Sequence, residues 1–183
     1  INMSWKSRHS SATFLTNQRE EAALSSIVSC AKIAGHTLSS EDISSVKRNS
    51  FDEFSNPALN LSRGLADVYD YLGAASIEEL VEEDCVKSVH EKLTAYSSVP
   101  DGQRGQYKSQ DELDNKGSAA LPTLITFRTT NPNQLVARSM AALFRWTKDN
   151  DDVDDLVKAA LMAYEVYAVD AFNNHVDTLG RIM

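Results

Sequence analysis

Residues 153–180 read VDDLVKAALMAYEVYAVDAFNNHVDTLG, and their apolar spacing decides the fold. Val153, Leu156, Val157, Ala160, Leu161, Tyr164, Ala168, Ala171, Phe172 and Val176 recur at mostly three- and four-residue steps as far as Leu179. That is the period of a helix with one buried face, not the alternation of a strand. Asp151 with Asp154 supplies a start signal and Gly180 a stop. The stretch therefore predicts one unbroken helix of ~40 Å at 1.5 Å rise per residue.

The same logic extends toward the N-terminus. Asn131-Pro132 opens a helix carrying Leu135, Val136, Met140, Leu143 and Phe144 to about Lys148, and Asn56-Pro57 opens one carrying Leu61, Leu65, Val68, Tyr69 and Leu72 to Gly73. Proline at a first helical position loses no needed hydrogen bond. Asn17 with Glu20, and Ser76 with Glu79, have capping-box spacing. The first pair introduces Leu24, Ile27, Val28 and Ala31, ending at Gly35; the second introduces Ile77, Leu80, Val81, Val89 and Leu93. A short helix is expected from Ser40 through Val46. The chain is thus predicted to be an all-α bundle of five to six helices, with a polar, Ser-rich arm over residues 1–16 and a single helical domain over 17–183. Residues 97–122 form one long loop, unusual in a compact domain unless it is functional or a linker. Thr123–Thr129 is the one stretch that suits a brief extended piece.

Composition narrows the class of protein. The chain has 183 residues, a net charge of −8 and two cysteines, Cys30 and Cys85. At this length a core forms without disulfide or metal staples. Two cysteines fit a reducing compartment better than a disulfide scaffold. No apolar run approaches the ~20 residues of a membrane span, and the start INMSWKSRHSSATF lacks a signal-peptide apolar core. An intracellular, cytoplasmic location follows, a viral particle being one setting for it.

Local catalytic signatures are missing. There is no phosphate-cradling G-x-x-x-x-G-K-[ST] or G-x-G-x-x-G, no G-x-S-x-G and no C-x-x-C. His9, His36, His90 and His175 have no histidine partner at helical spacing. The run Asp149, Asp151, Asp152, Asp154 and Asp155 fails a calcium loop, since Val153 and Ala160 stand where ligands belong. Cys30 reads as a small core residue, and the acidic run 78–84 as a solvated helix face. These absences predict a protein that is not an enzyme and holds no metal or cofactor.

Charge is segmental. Residues 101–148 carry seven cations and four acids, between an acidic 49–100 and an acidic 149–183. The cations are Arg104, Lys108, Lys116, Arg128, Arg138, Arg145 and Lys148, the residue types that bind phosphate backbones. Together these features predict a non-catalytic, self-assembling structural subunit. It would be coat- or nucleocapsid-like in architecture, with itself and single-stranded nucleic acid as partners. The alternatives are an acidic helical adaptor that offers Tyr164, Tyr167 and Phe172 to a protein, and an enzyme whose dispersed site pairs His175 with Asp170 or Asp177.

Overall fold

Capping side chains open four of the helices, and a backbone turn at a glycine closes the first. A computed structural model describes residues 12–48, 56–80, 82–108 and 133–182. The N-terminal arm before Ala12, and residues 109–132 with Thr123–Thr129 and the Asn131-Pro132 opening, lie outside the described residues. The fold is an all-α helical bundle. Its chain divides into two units, Ile1–Ser62 and Arg63–Met183.

In the first unit α1 spans Ala12–Ile33 and α2 spans Ser40–Arg48. The helix α1 begins upstream of Asn17, so the Asn17/Glu20 pair sits on its exposed side rather than capping it. Its end is as expected. Gly35 adopts φ +86°, and His36 N–H donates to Ala31 O at 2.9 Å while Gly35 N–H donates to Lys32 O at 3.1 Å. This double bond closes a Schellman turn. A reciprocal box opens α2: Ser39 N–H donates to the Asp42 carboxylate at 2.8 Å, and Asp42 N–H to Ser39 Oγ at 3.1 Å. Ile27, Cys30, Ala31 and Val46 are buried. The next helix, α3 (Pro57–Ala74), opens with Asn56 Oδ1 accepting the Ala58 N–H at 2.9 Å.

In the second unit the Ser76/Glu79 box forms as predicted, with bonds of 2.8 and 3.3 Å. It opens only a single turn, α4 (Ile77–Leu80), before the chain restarts as α5 (Glu83–Thr94). A 3-10 turn follows at Asp101–Gln103, then α6 (Asn133–Asp149), α7 (Asp155–Val169) and α8 (Val176–Ile182). Val86, Val89 and Leu93 from α5, Val136 and Met140 from α6, Met162 and Val166 from α7, and Leu179 from α8 form the buried core. Asp154 caps α7 through Leu156 N–H at 2.9 Å.

Two sequence expectations need correcting here. The single ~40 Å helix is broken: Asp170 takes a left-handed conformation at φ 49°, and helix resumes only at Val176. Ala171, Phe172 and Val176 keep three- and four-residue steps across the break, so spacing alone hid it; they are buried, whereas on α7 the same stripe (Leu156, Val157, Leu161 and Tyr164) is exposed and Met162, Val166 and Val169 are buried instead. Nor is the start of the predicted loop structureless. Val99 is buried, and Tyr107 makes an antiparallel bridge with Phe172 in the α7–α8 turn.

Candidate active site

The break between α7 and α8 is the most constrained backbone in the described chain. Asp170, Asn174 and His175 hold φ of 49°, 59° and 52° within six residues. Non-glycine residues seldom occupy this region, and Asp, Asn and His are among the residues that do so most readily. Such conformations persist only where the surroundings over-determine them.

The surroundings are specific. His90, fully buried on α5, stacks on Phe172 with ring centroids 4.5 Å apart. Gly105 N–H donates to His90 Nδ1 at 3.0 Å, which leaves the ring proton on Nε2. That proton is donated to the Asn173 carbonyl at 2.9 Å. Gly105 can sit there only as glycine: its φ is +67°, and a Cβ would stand 2.9 Å from Lys87 O. The Asn173 side-chain amide donates to Gln103 Oε1 at 3.2 Å. Lys108, 1% exposed, donates its N–H to Ala171 O at 2.9 Å and pairs its ammonium with the Asp170 carboxylate. Residues 103–108 thus run alongside the turn and fix three of its residues.

Burial pushes the His90 pKa below its ordinary value, against the opposing effect of the Asn173 carbonyl. Protonation would also place a second ring proton on Nδ1, facing the Gly105 N–H. A histidine whose folded pKa is depressed contributes stability that is present above its unfolded value of 6.5 and is lost as pH falls from there through the folded value. Thermal melts should therefore show a stability decline below about pH 6.5. His90→Gln should flatten that segment of the profile; an unchanged slope would remove His90 as its source.

Beside the turn, Ala163, Tyr164 and Tyr167 of α7 and Asp177, Gly180 and Arg181 of α8 line a groove of about 300 Å³. Arg181 donates two N–H groups to Asp177 Oδ2, each at 3.2 Å, and one to Thr178 Oγ1 at 3.1 Å. Among the described residues no three His, Cys, Asp or Glu groups are placed to hold a metal.

Of the seven predicted phosphate-binding cations, five lie among the described residues. Lys108 is buried and neutralised by Asp170, and Arg104 is spent on Asp101 at 2.8 Å and Val99 O at 3.1 Å. Lys148 pairs with Glu82. Arg138 and Arg145 are exposed on α6, and Lys116 and Arg128 lie outside the described residues. The residues that do converge, His90, Gly105, Asn173 and His175, come from segments far apart in sequence. Of these, sequence had singled out only His175, beside Asp170 and Asp177. The signal available for the rest was Asp170, Asn173 and Asn174, a cluster of residues that tolerate left-handed backbone.

Fold and site together define an all-α protein built around one strained interhelical turn. No family model and no curated protein sequence matches the chain. Among solved structures it is similar to a Fic family protein from Desulfovibrio desulfuricans G20, at 18% identity and a TM-score of 0.64. The likeness covers 94% of this chain and 48% of that protein, so this chain spans about half the length of its structural neighbour. That finding corrects the expectation of a non-catalytic protein, whether coat-like subunit or adaptor, and with it the expectation that the chain is not an enzyme. Those expectations rested on composition and on missing local motifs. A site assembled from residues distant in sequence leaves neither trace. Among the described residues no helix is long and apolar enough to cross a membrane.

Proposed function

We propose that this chain is an enzyme of the Fic type, working at the α7–α8 turn and transferring the AMP group of ATP to a hydroxyl acceptor, whose proton passes to a base while pyrophosphate leaves. The observation that carries the reading is the turn itself: three left-handed non-glycine residues locked by a buried histidine and a buried lysine. Strain of this kind gathers at working sites. The reaction class comes from the structural neighbour's family.

The chemistry needs a base for the acceptor hydroxyl and donors for phosphate oxygens. His175, half-buried at the edge of the turn, takes the first role. Arg181 takes the second, because its guanidinium offers a planar fork that matches phosphate as well as it matches Asp177. Asp177 then acts as the holder that orients Arg181 before the nucleotide arrives.

The test is incubation of the chain with ATP, reading pyrophosphate release and protein-bound AMP by mass. His175→Asn is the informative variant, since asparagine tolerates φ near +50° while removing the base. Turnover should fall by about a hundredfold or more in His175→Asn, and comparably in Arg181→Ala. An active chain whose His175→Asn variant keeps its rate would remove His175 from the reaction. No nucleotide turnover by the unaltered chain would overturn the reading.

A further inference from the structure

The solvent side of α7 is anomalous. Leu156, Val157, Leu161, Tyr164 and Tyr167 are 80%, 49%, 40%, 54% and 56% exposed. With Ala160 they form one face, opposite the buried Met162, Val166 and Val169. Between Asp155 and Glu165 the only charged residue is Lys158, turned toward Asp151 and mostly buried. An ordinary surface helix carries its charges where α7 carries leucine, valine and tyrosine. From Leu156 to Tyr167 the stripe runs about 16 Å at 1.5 Å per residue, and it continues into the groove beside Gly180 and Arg181.

Acidic residues crowd the N-terminal end of the stripe, where Asp149 and Asp152 precede it and Asp155 opens α7, and Glu165 flanks it. Asp149, Asp152, Asp155 and Glu165 have no cation partner among the described residues, and Asp151 reaches Lys158 only at 3.9 Å. Arg181, the cation at the far end, is already held by Asp177. A second copy of this face would set acid against acid. Five side chains on one helix also offer far less than the ~800 Å² per partner of a standard interface between two folded proteins. A single helix laid along the stripe needs no such area, because a few apolar anchors at helical spacing suffice.

We propose that the exposed face of α7 is a docking surface for a cationic amphipathic helix, with leucine-like anchors on the stripe and lysine or arginine against these acidic residues. Such a surface sits on an enzyme as readily as on any other protein, and it stands or falls independently of the reaction proposed above.

The experiment uses the whole chain and three labelled synthetic peptides of about 18 residues, long enough to lay several helical turns along the stripe. One is a leucine/lysine amphipathic helix, one its leucine/glutamate counterpart, and one a scrambled leucine/lysine sequence. Fluorescence anisotropy reads binding, and amide shifts read its location. The ordered leucine/lysine helix should bind at Leu156–Tyr167, and Leu161→Glu should weaken it by about tenfold or more, as loss of a central anchor does. Joint Asp152→Asn and Asp155→Asn replacement should weaken it less and reduce its salt dependence. All three positions are exposed, so the variants should melt with the unaltered chain. Equal binding of the leucine/glutamate helix would overturn the proposal, as would unchanged affinity in Leu161→Glu or shifts mapping to the acidic side of α5. A dimer by light scattering that Leu161→Glu splits would overturn it too, since the occupant would then be a second copy.

Discussion

His90→Ala should lower the stability of the chain by roughly 3–5 kcal/mol, one of the largest losses available to a single substitution here. The reasons are separable. Removing the ring opens a cavity against Phe172 and forfeits a stacked aromatic contact worth about 0.5–1.5 kcal/mol. It also leaves the Gly105 N–H and the Asn173 carbonyl without their ring partner in a buried setting, at about 1–3 kcal/mol each where no water replaces it. On a unit of this size the melting temperature should fall by about 10–20 °C. The loss should also be local. With the ring gone, the strain at Asp170, Asn174 and His175 is no longer over-determined. Amide exchange at Gly105 and through residues 170–175 should then speed up well before exchange in α5. His90→Gln, which keeps an N–H donor at similar reach, should recover part of the loss. A His90→Ala melt within a few degrees of the unaltered chain would show that Lys108 and Asn173 hold the turn by themselves.

Why such a site stayed hidden in the sequence is clear from the partners. Most of what one turn of chain can specify was legible. The Ser76/Glu79 box, the Asn56-Pro57 opening and the Gly35 stop each join residues no more than five apart, and each formed; the equally local Ser39/Asp42 box was not read, although the helix it opens was. The exception, Asn17/Glu20, failed because nothing in a local pattern forbids helix upstream of it. The residues of the α7–α8 turn depend on the opposite kind of information. His90 meets Asn173 across 83 positions, and Lys108 meets Asp170 across the segment holding α6 and α7. Lys108 looked like a surface cation because lysine is almost never fully buried unless paired, and its pair could not be seen. The break after Val169 was masked because Phe172 and Val176 fall at helical spacing from Ala168, although the stripe they continue is exposed on α7 and buried only beyond the turn. Absent motifs, likewise, argue only against sites that are local in sequence.

Two glycines on one helix should respond to the same substitution with opposite signs. On α3, a Cβ at Gly73 would meet nothing within 4 Å, whereas one at Gly64 would stand 2.5 Å from the Leu93 carbonyl oxygen and 3.0 Å from its carbon. Alanine is preferred to glycine in a helix interior by about 0.8–1.0 kcal/mol. At Gly73 that preference acts unopposed, so Gly73→Ala should stabilise the chain by about 0.5–1 kcal/mol. At Gly64 it is opposed by a collision with backbone, which no rotamer change can relieve. Leu93 is itself buried in the core, so α3 and α5 must move apart to admit the methyl group. Overpacking of a tight core costs about 1–3 kcal/mol, and a contact this short belongs at or beyond the upper end of that range. The net effect of Gly64→Ala should be a loss of roughly 2 kcal/mol after the helical gain, and Gly64→Val should lose more. Thermal or urea melts of the pair decide the matter, because helix propensity favours alanine at both positions and only at Gly64 does a backbone neighbour oppose it. If Gly64→Ala melts at or above the unaltered chain, α3 and α5 are not in backbone contact at that point.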